Sequence, residues 1–198
     1  MTDAIILAAG NSKRFGSTNK LFTQLYSKPL ISHVVNEICN SKVKNIFVIT
    51  GKDHDQICDI LNNYRVNVIK NQNHIFGINS SISLGIKNLD PVSNSVMICL
   101  GDMPLLFSKD YNNLLNFNNN FGGKNKITVP FNSNQNGNPI IFGSKFYKKL
   151  LSLKGDEGGK KIIDENNNRL VKFFTELTNM FDNNEHDHHR KLAAHHMH

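Results

Sequence analysis

The sequence predicts an α/β protein: three layers, α/β/α, around a mostly parallel central sheet. Three observations carry this. The chain opens on an apolar run, Ala4-Ile5-Ile6-Leu7, without polar alternation, which reads as a strand buried on both faces. Strand-like and helix-like segments then alternate, which argues for right-handed crossovers with helices on both sides of the sheet. The first and fourth strands end in tight loops, Ala8-Ala9-Gly10 and Gly101-Asp102-Met103-Pro104, at the edge where open α/β sheets bind ligands.

The elements follow in order. Lys28-Pro29 leads a helix, with Pro29 suited to its first turn and Leu30, Ile31, Val34, Val35 and Ile38 at helical spacing. Lys44–Thr50 is a second strand, His54–Leu61 a short helix and Arg65–Lys70 a third strand. After a polar loop, Asn79–Lys87 is a helix opened by Asn and Ser, both good capping residues. Ser95–Leu100 is the fourth buried strand. Lys109–Phe117 is a helix, and the Asn/Gly-rich stretch Asn118–Asn125 a mobile loop. Ile127–Pro130 is a strand, Asn132–Asn138 a turn, Pro139–Phe142 a short strand and Ser144–Leu151 a helix with a basic face. A Gly-Asp-Glu-Gly-Gly turn leads into a helix over Lys160–Glu165, and Leu170–Phe174 is the last strand.

With 198 residues, 39% hydrophobic and 20% charged, the chain suffices for one globular domain with a full core. Residues 1–182 form that domain. His-rich 183–198 reads as a disordered tail or an expression scar ahead of a metal-binding tract. The net charge of +7 admits nucleic acid, anionic membrane or a phosphate-rich small ligand. The lysines are scattered, however, with no basic helix stripe, RNP-like aromatic motif or zinc-finger spacing, so neither nucleic acid nor membrane is the expected partner. Cys39, Cys58 and Cys99 are odd in number and far apart, two on helices and one in a strand, which is neither a disulfide framework nor a metal spacing. A reducing, cytoplasmic setting is expected. The N-terminus runs straight into a strand, so no secretory signal is expected, and no apolar run approaches the roughly 20 residues of a membrane span.

Two constellations carry chemistry. Leu7, Ala8, Ala9 and Gly10 let a ligand approach the backbone closely, and backbone N–H groups there suit phosphate oxygens. Arg14 adds a planar fork and Lys20 a point charge. The spacing is neither Walker A nor G-x-G-x-x-G. Asp102, held on a turn at the same sheet edge, is a hard oxygen ligand of the kind that suits Mg²⁺ bridged to substrate phosphates. A surface loop with ordinary basic residues and a turn aspartate bonding its own backbone are the plain alternatives. No Ser/His/Asp or Cys/His pattern is visible. Phosphoryl-type transfer needs positioning and charge stabilisation more than a nucleophile, so the pattern favours transfer between two bound substrates.

With these motifs in view, the chain resembles the molybdenum cofactor (molybdopterin) cytidylyltransferase family, within the GT-A-like, Rossmann-like nucleotidyltransferases. The matching pieces are ILAAGNSKRFG with Lys20, KPLISHVV, FGINSSISLG, LGDMPL, GNPIIFG and GDEGGKKII. The resemblance implies that Leu7 to Gly10 lie against the nucleotide and that Arg14 and Lys20 neutralise the triphosphate. It places Ser80 and Ser81 on base or ribose, Asp102 on Mg²⁺, and Gly137, Asn138, Pro139 and Asp156 in the acceptor pocket. Taken alone, Asn138-Pro139 is a plain turn signal, Asp156 a plain helix cap, and Ser80 and Ser81 plain N-caps. The family's second metal carboxylate sits in a motif like D-I-D-T-x-E-D. Here Asp182 fits the ligand position and Glu185 the later acid, but Met180 replaces the first acid.

The implied activity is transfer of a cytidylyl group from CTP to the phosphate of molybdopterin or its molybdenum form, releasing pyrophosphate. The implied cofactor is Mg²⁺, the implied partners a phosphorylated pterin and a molybdoenzyme, and a monomer or weak dimer is expected. Rival readings are a guanylyltransferase for the same pterin, a cytidylyltransferase for another small phosphate, a non-catalytic nucleotide- or pterin-binding accessory protein, and a nucleic-acid-binding module.

Overall fold

The computed structural model describes residues 1–10 and 19–181, and Arg14, Asp182 and the 183–198 segment lie outside the described residues. The strands are β1 (Thr2–Ala8), β2 (Gln24–Leu25), β3 (Lys28–Pro29), β4 (Ile46–Thr50), β5 (Asn67–Lys70), β6 (Ser95–Leu100), β7 (Ile127–Asn132), β8 (Gln135–Asn136), β9 (Ile140–Gly143) and β10 (Leu170–Phe174). The helices are α1 (Leu30–Cys39), α2 (His54–Leu61), α3 (Ile78–Lys87), α4 (Ser108–Phe121), α5 (Tyr147–Ser152) and α6 (Lys160–Glu165).

Among the described residues the central sheet has the order β10-β7-β9-β6-β1-β4-β5, with β8 paired to β7. β1 lies between β6 and β4 and runs parallel to both, and β4–β5 and β7–β10 are also parallel. β9 is antiparallel to both of its neighbours, which makes the sheet mixed beyond β6.

Side-chain alternation divides the core in two. Ala4, Ile6 and Ala8 of β1 face one side, where they join Val34, Val35 and Ile38 of α1, Ile57 of α2 and Leu114 of α4. Ile5 faces the other side, with Ile82 and Ile86 of α3, Leu150 of α5 and Ile162 of α6. Three layers result, and β1 is buried on both faces, as its unbroken apolar run requires. α3 approaches β1 closely at Gly85, where a Cβ would lie 2.6 Å from Ile5 Cδ1.

α3 begins at Ile78 with Gly77 at its N-cap position, so Asn79, Ser80 and Ser81 lie inside its first turn and not at the cap expected for them. Three further elements differ from the sequence expectation. Pro29 is not in a helical first turn; it ends the two-stranded hairpin β2–β3 and occupies the N-cap position of α1. Residues 118–121 are helical rather than loop. Asn118 is buried, and its Oδ1 accepts from the Thr128 hydroxyl at 2.9 Å, while Phe117 and Phe121 stack one turn apart with ring centroids 4.9 Å apart. The Asn-rich run is thus held in α4 by tertiary partners that outweigh its weak helix propensity. Residues 132–138 include the short strand β8 as well as a turn. Cys39 and Cys58 lie on helices and Cys99 in β6, and all three thiols are free. Burial pushes the Cys99 thiol well above its ordinary pKa, which marks it as a core residue. No helix among the described residues is long and apolar enough to cross a membrane.

Candidate active site

A cavity of about 500 Å³ opens at the carboxyl ends of β1 and β6. It is lined by the elbow Leu7 to Gly10, by Lys20 and Leu21, and by Leu100 and Asp102. His74, Ile75 and Gly77, the first turn of α3 through Ile78 and Ser81, and Asp156 complete the lining. The parallel pairing of β1 with β6, matching Leu7 with Leu100, brings the two strand ends level. The Gly101 N–H then donates to the Leu7 carbonyl at 3.0 Å, tying the second loop to the first.

Lys20 is set by a local cap. Asn19 Oδ1 accepts from the Leu21 N–H at 3.0 Å and Asn19 Nδ2 donates to Asp53 Oδ2 at 2.8 Å, which fixes the one-turn 3₁₀ helix Lys20–Phe22 against the start of α2. Lys20 Nζ lies 3.3 Å from Asp102 Oδ2, with the lysine side chain 8% exposed and the aspartate 40% exposed. The pair places a cation and a hard carboxylate in one cavity, 82 residues apart in the chain.

At the first turn of α3, Asn71 Nδ2 donates to Ser80 Oγ at 2.8 Å and to Ser81 Oγ at 2.9 Å, and the Ser80 hydroxyl donates to the Gly77 carbonyl at 2.8 Å. Ser81 lines the cavity, whereas Ser80 lines a neighbouring depression with Asn71 and Phe76. His74 Nδ1 carries its proton, because it faces the Asn71 carbonyl at 3.0 Å. His74, Ile75 and Ile78 were not singled out from sequence. Ile78 sits inside the FGINSSISLG run, but nothing local to His74 or Ile75 marks them.

Asp156 lines the cavity and caps a helix, but the helix is α3 and not the adjacent α6: its Oδ1 accepts the Ile78 N–H at 2.8 Å. Gly137, Asn138 and Pro139 do not line this cavity. The antiparallel register Ile98↔Ile140 carries them along the end of β6, and the Asn138 N–H donates to the Met180 carbonyl at 2.8 Å. Met180 is fully buried in the core beside α1 and α4, which explains an apolar side chain where an acid is expected. Asn179 Nδ2 donates to the Leu105 carbonyl at 3.1 Å, so the segment that precedes Asp182 is anchored beside the loop that follows Asp102.

A mostly parallel α/β sheet thus holds a cation–carboxylate pair in a cleft at its strand ends. The chain belongs to the MobA-like NTP transferase domain family, whose profile matches residues 4–170. It is similar to the bifunctional protein GlmU of Clostridium botulinum, 25% identical over 190 residues, which are 93% of this chain and 41% of that protein. The chain therefore spans less than half the length of that relative. Among solved structures it superposes on a nucleotidyl transferase of Methanothermobacter thermautotrophicus with a TM-score of 0.81 at 17% identity, covering 98% of this chain and 97% of the other. It also superposes on Rv0371c of Mycobacterium tuberculosis in complex with manganese, TM-score 0.79 at 15% identity, with 98% of each chain covered. These two likenesses concern the fold.

Proposed function

We propose that this protein, through a transferase domain at residues 1–182, moves a cytidylyl group from CTP to the phosphate of molybdopterin or its molybdenum form. An oxygen of the acceptor phosphate attacks the α-phosphorus, a new P–O–P bond forms, the bond to the β-phosphate breaks, and pyrophosphate leaves. The observation that carries this is the convergence of the Leu7–Gly10 elbow, Lys20 and Asp102 on one cavity. The molybdopterin-type motifs FGINSSISLG, GNPIIFG and GDEGGKKII support the acceptor class.

The chain's own groups divide the work. Backbone of Ala8, Ala9 and Gly10 orients the triphosphate at the end of β1. Lys20, buried and rigidly capped, meets the charge that develops on the transferring phosphoryl group, and Arg14 supplies a second cation. Ser81, with Ser80 behind it, faces base and ribose. Gly137, Asn138 and Pro139, beside the end of β6, receive the acceptor, with Asp156 across the cleft. Asp102 is a half-exposed hard carboxylate at the cavity rim, a donor that fits a divalent cation completed by water and phosphate oxygens. Asp102 and Asp182 would hold Mg²⁺, whose chemistry there would be neutralisation of phosphate charge. The manganese bound by the mycobacterial neighbour agrees with a divalent cation.

The test is incubation of the protein with each of the four nucleoside triphosphates, Mg²⁺ and molybdopterin, with mass analysis of the products. The cytidylylated pterin and pyrophosphate are expected. A guanylylated pterin reassigns the base, and binding of CTP without turnover in the presence of Mg²⁺ selects the accessory-protein reading.

A further inference from the structure

The first turn of α3 has no cap of its own, because its N-cap position is Gly77. Its first N–H groups need partners from elsewhere, and a strap some 78 residues away supplies them. The Ile78 N–H donates to Asp156 Oδ1 at 2.8 Å, the Asn79 N–H to the Gly155 carbonyl at 3.2 Å, and Asn79 Nδ2 to the Lys154 carbonyl at 2.8 Å. Three consecutive strap residues therefore close on two consecutive helix residues. Gly77 makes room for this: it sits at φ +97°, and a Cβ there would lie 2.3 Å from Asp156 Oδ1 and 2.6 Å from the Gly155 carbonyl oxygen.

We propose that Asp156 is a positioning residue for the nucleotide, acting through α3: the strap fixes the cavity wall that carries Ile78 and Ser81. This rests on the nucleotidyltransferase reading above and moves the main duty of Asp156 from acceptor to nucleotide. A carboxylate at the positive end of α3 satisfies that end of the helix and disfavours a phosphate there. The phosphates then belong with Gly10 and Lys20, and the base and ribose fall against α3.

The full chain is titrated calorimetrically, with Mg²⁺ present, against each of the four nucleoside triphosphates and separately against inorganic tripolyphosphate. Wild type, Asp156→Ala and Asp156→Asn are compared. Loss of the cap in Asp156→Ala weakens the best-bound nucleoside triphosphate by about five- to tenfold. Asp156→Asn, whose amide oxygen still accepts the Ile78 N–H, stays within about twofold of wild type. Tripolyphosphate binds both variants at least as tightly as wild type, because its site is at Gly10 and Lys20 and both variants remove a carboxylate from the same cavity; general damage to the fold would weaken it. Unchanged nucleotide affinity in Asp156→Ala, or equal loss of nucleotide and tripolyphosphate, overturns the strap assignment alone. A wild-type chain that binds none of the four nucleotides overturns the strap assignment together with the activity it rests on.

Discussion

Lys20→Ala is the perturbation that bears most directly on the site. Lys20 has an 8% exposed side chain, and its Nζ is 3.3 Å from Asp102. Loss of one preorganised charge-stabilising donor in such a site costs about 2.7–4 kcal/mol of barrier, or roughly 10²–10³ in kcat. The cost to folding is far smaller. Asp102 is 40% exposed and rehydrates once its partner is gone, and partly solvated pairs of this kind contribute about 1 kcal/mol or less. For a chain of this size that lowers Tm by about 2–4 °C. Pyrophosphate release under saturating nucleotide and Mg²⁺ should therefore collapse in a protein that still melts cooperatively. Lys20→Arg keeps the charge but replaces a point cation with a planar fork, and should recover only part of the rate. Asp102→Ala should also abolish turnover, and the double variant should be no slower than the worse single one, because the two groups act as a unit. Wild-type pyrophosphate release in both Lys20→Ala and Asp102→Ala would refute the assignment of this cavity as the reaction centre.

Three further outcomes test the packing. Gly85→Val should destabilise the fold by about 1–3 kcal/mol by overpacking against Ile5, measured by urea unfolding. Asn118→Leu should cost about 1–3 kcal/mol by stranding the buried Thr128 hydroxyl, with α4 shortening toward Phe117 in amide hydrogen exchange. The exposed Lys44–Asp90 pair sets a pH window. Hydrogen bonding to Lys44 holds Asp90 below its ordinary 3.8, and hydrogen bonding to Asp90 holds Lys44 above 10.5. The depressed aspartate gives a contribution present above 3.8 and lost as pH falls through the folded value. The raised lysine gives one present below 10.5 and lost as pH rises through the folded value. The Tm deficit of Lys44→Met should therefore be flat between these limits, disappear in acid, and shrink with added salt.

Much of the architecture is written in local patterns. Unbroken apolar runs mark β1, β4 and β6 because strands covered on both faces have no polar side to alternate with. Helical spacing marks α1, and the Gly-rich turn marks the start of α6. The small residues after β1 and the acid after β6 were legible as one site because parallel strands of one sheet end at one edge. The antiparallel insertion of β9 was not, since it depends on pairing with β6 and β7. The hairpin β2–β3 was not, because its turn residues Tyr26 and Ser27 take positive φ without the usual Asn or Gly. The last turn of α4 was not, because it rests on a side-chain partner outside the helix. The α4 turn shows why: Asn118 is a poor helix former until Thr128 takes its amide oxygen. Asp156 shows the same for the site. Its cap joins residues 78 apart, so no spacing rule reaches it, and only the folded chain decides that it serves α3. Local hydrophobic periodicity thus determined which segments are strands and helices, while long-range hydrogen bonds decided how the cavity walls are held.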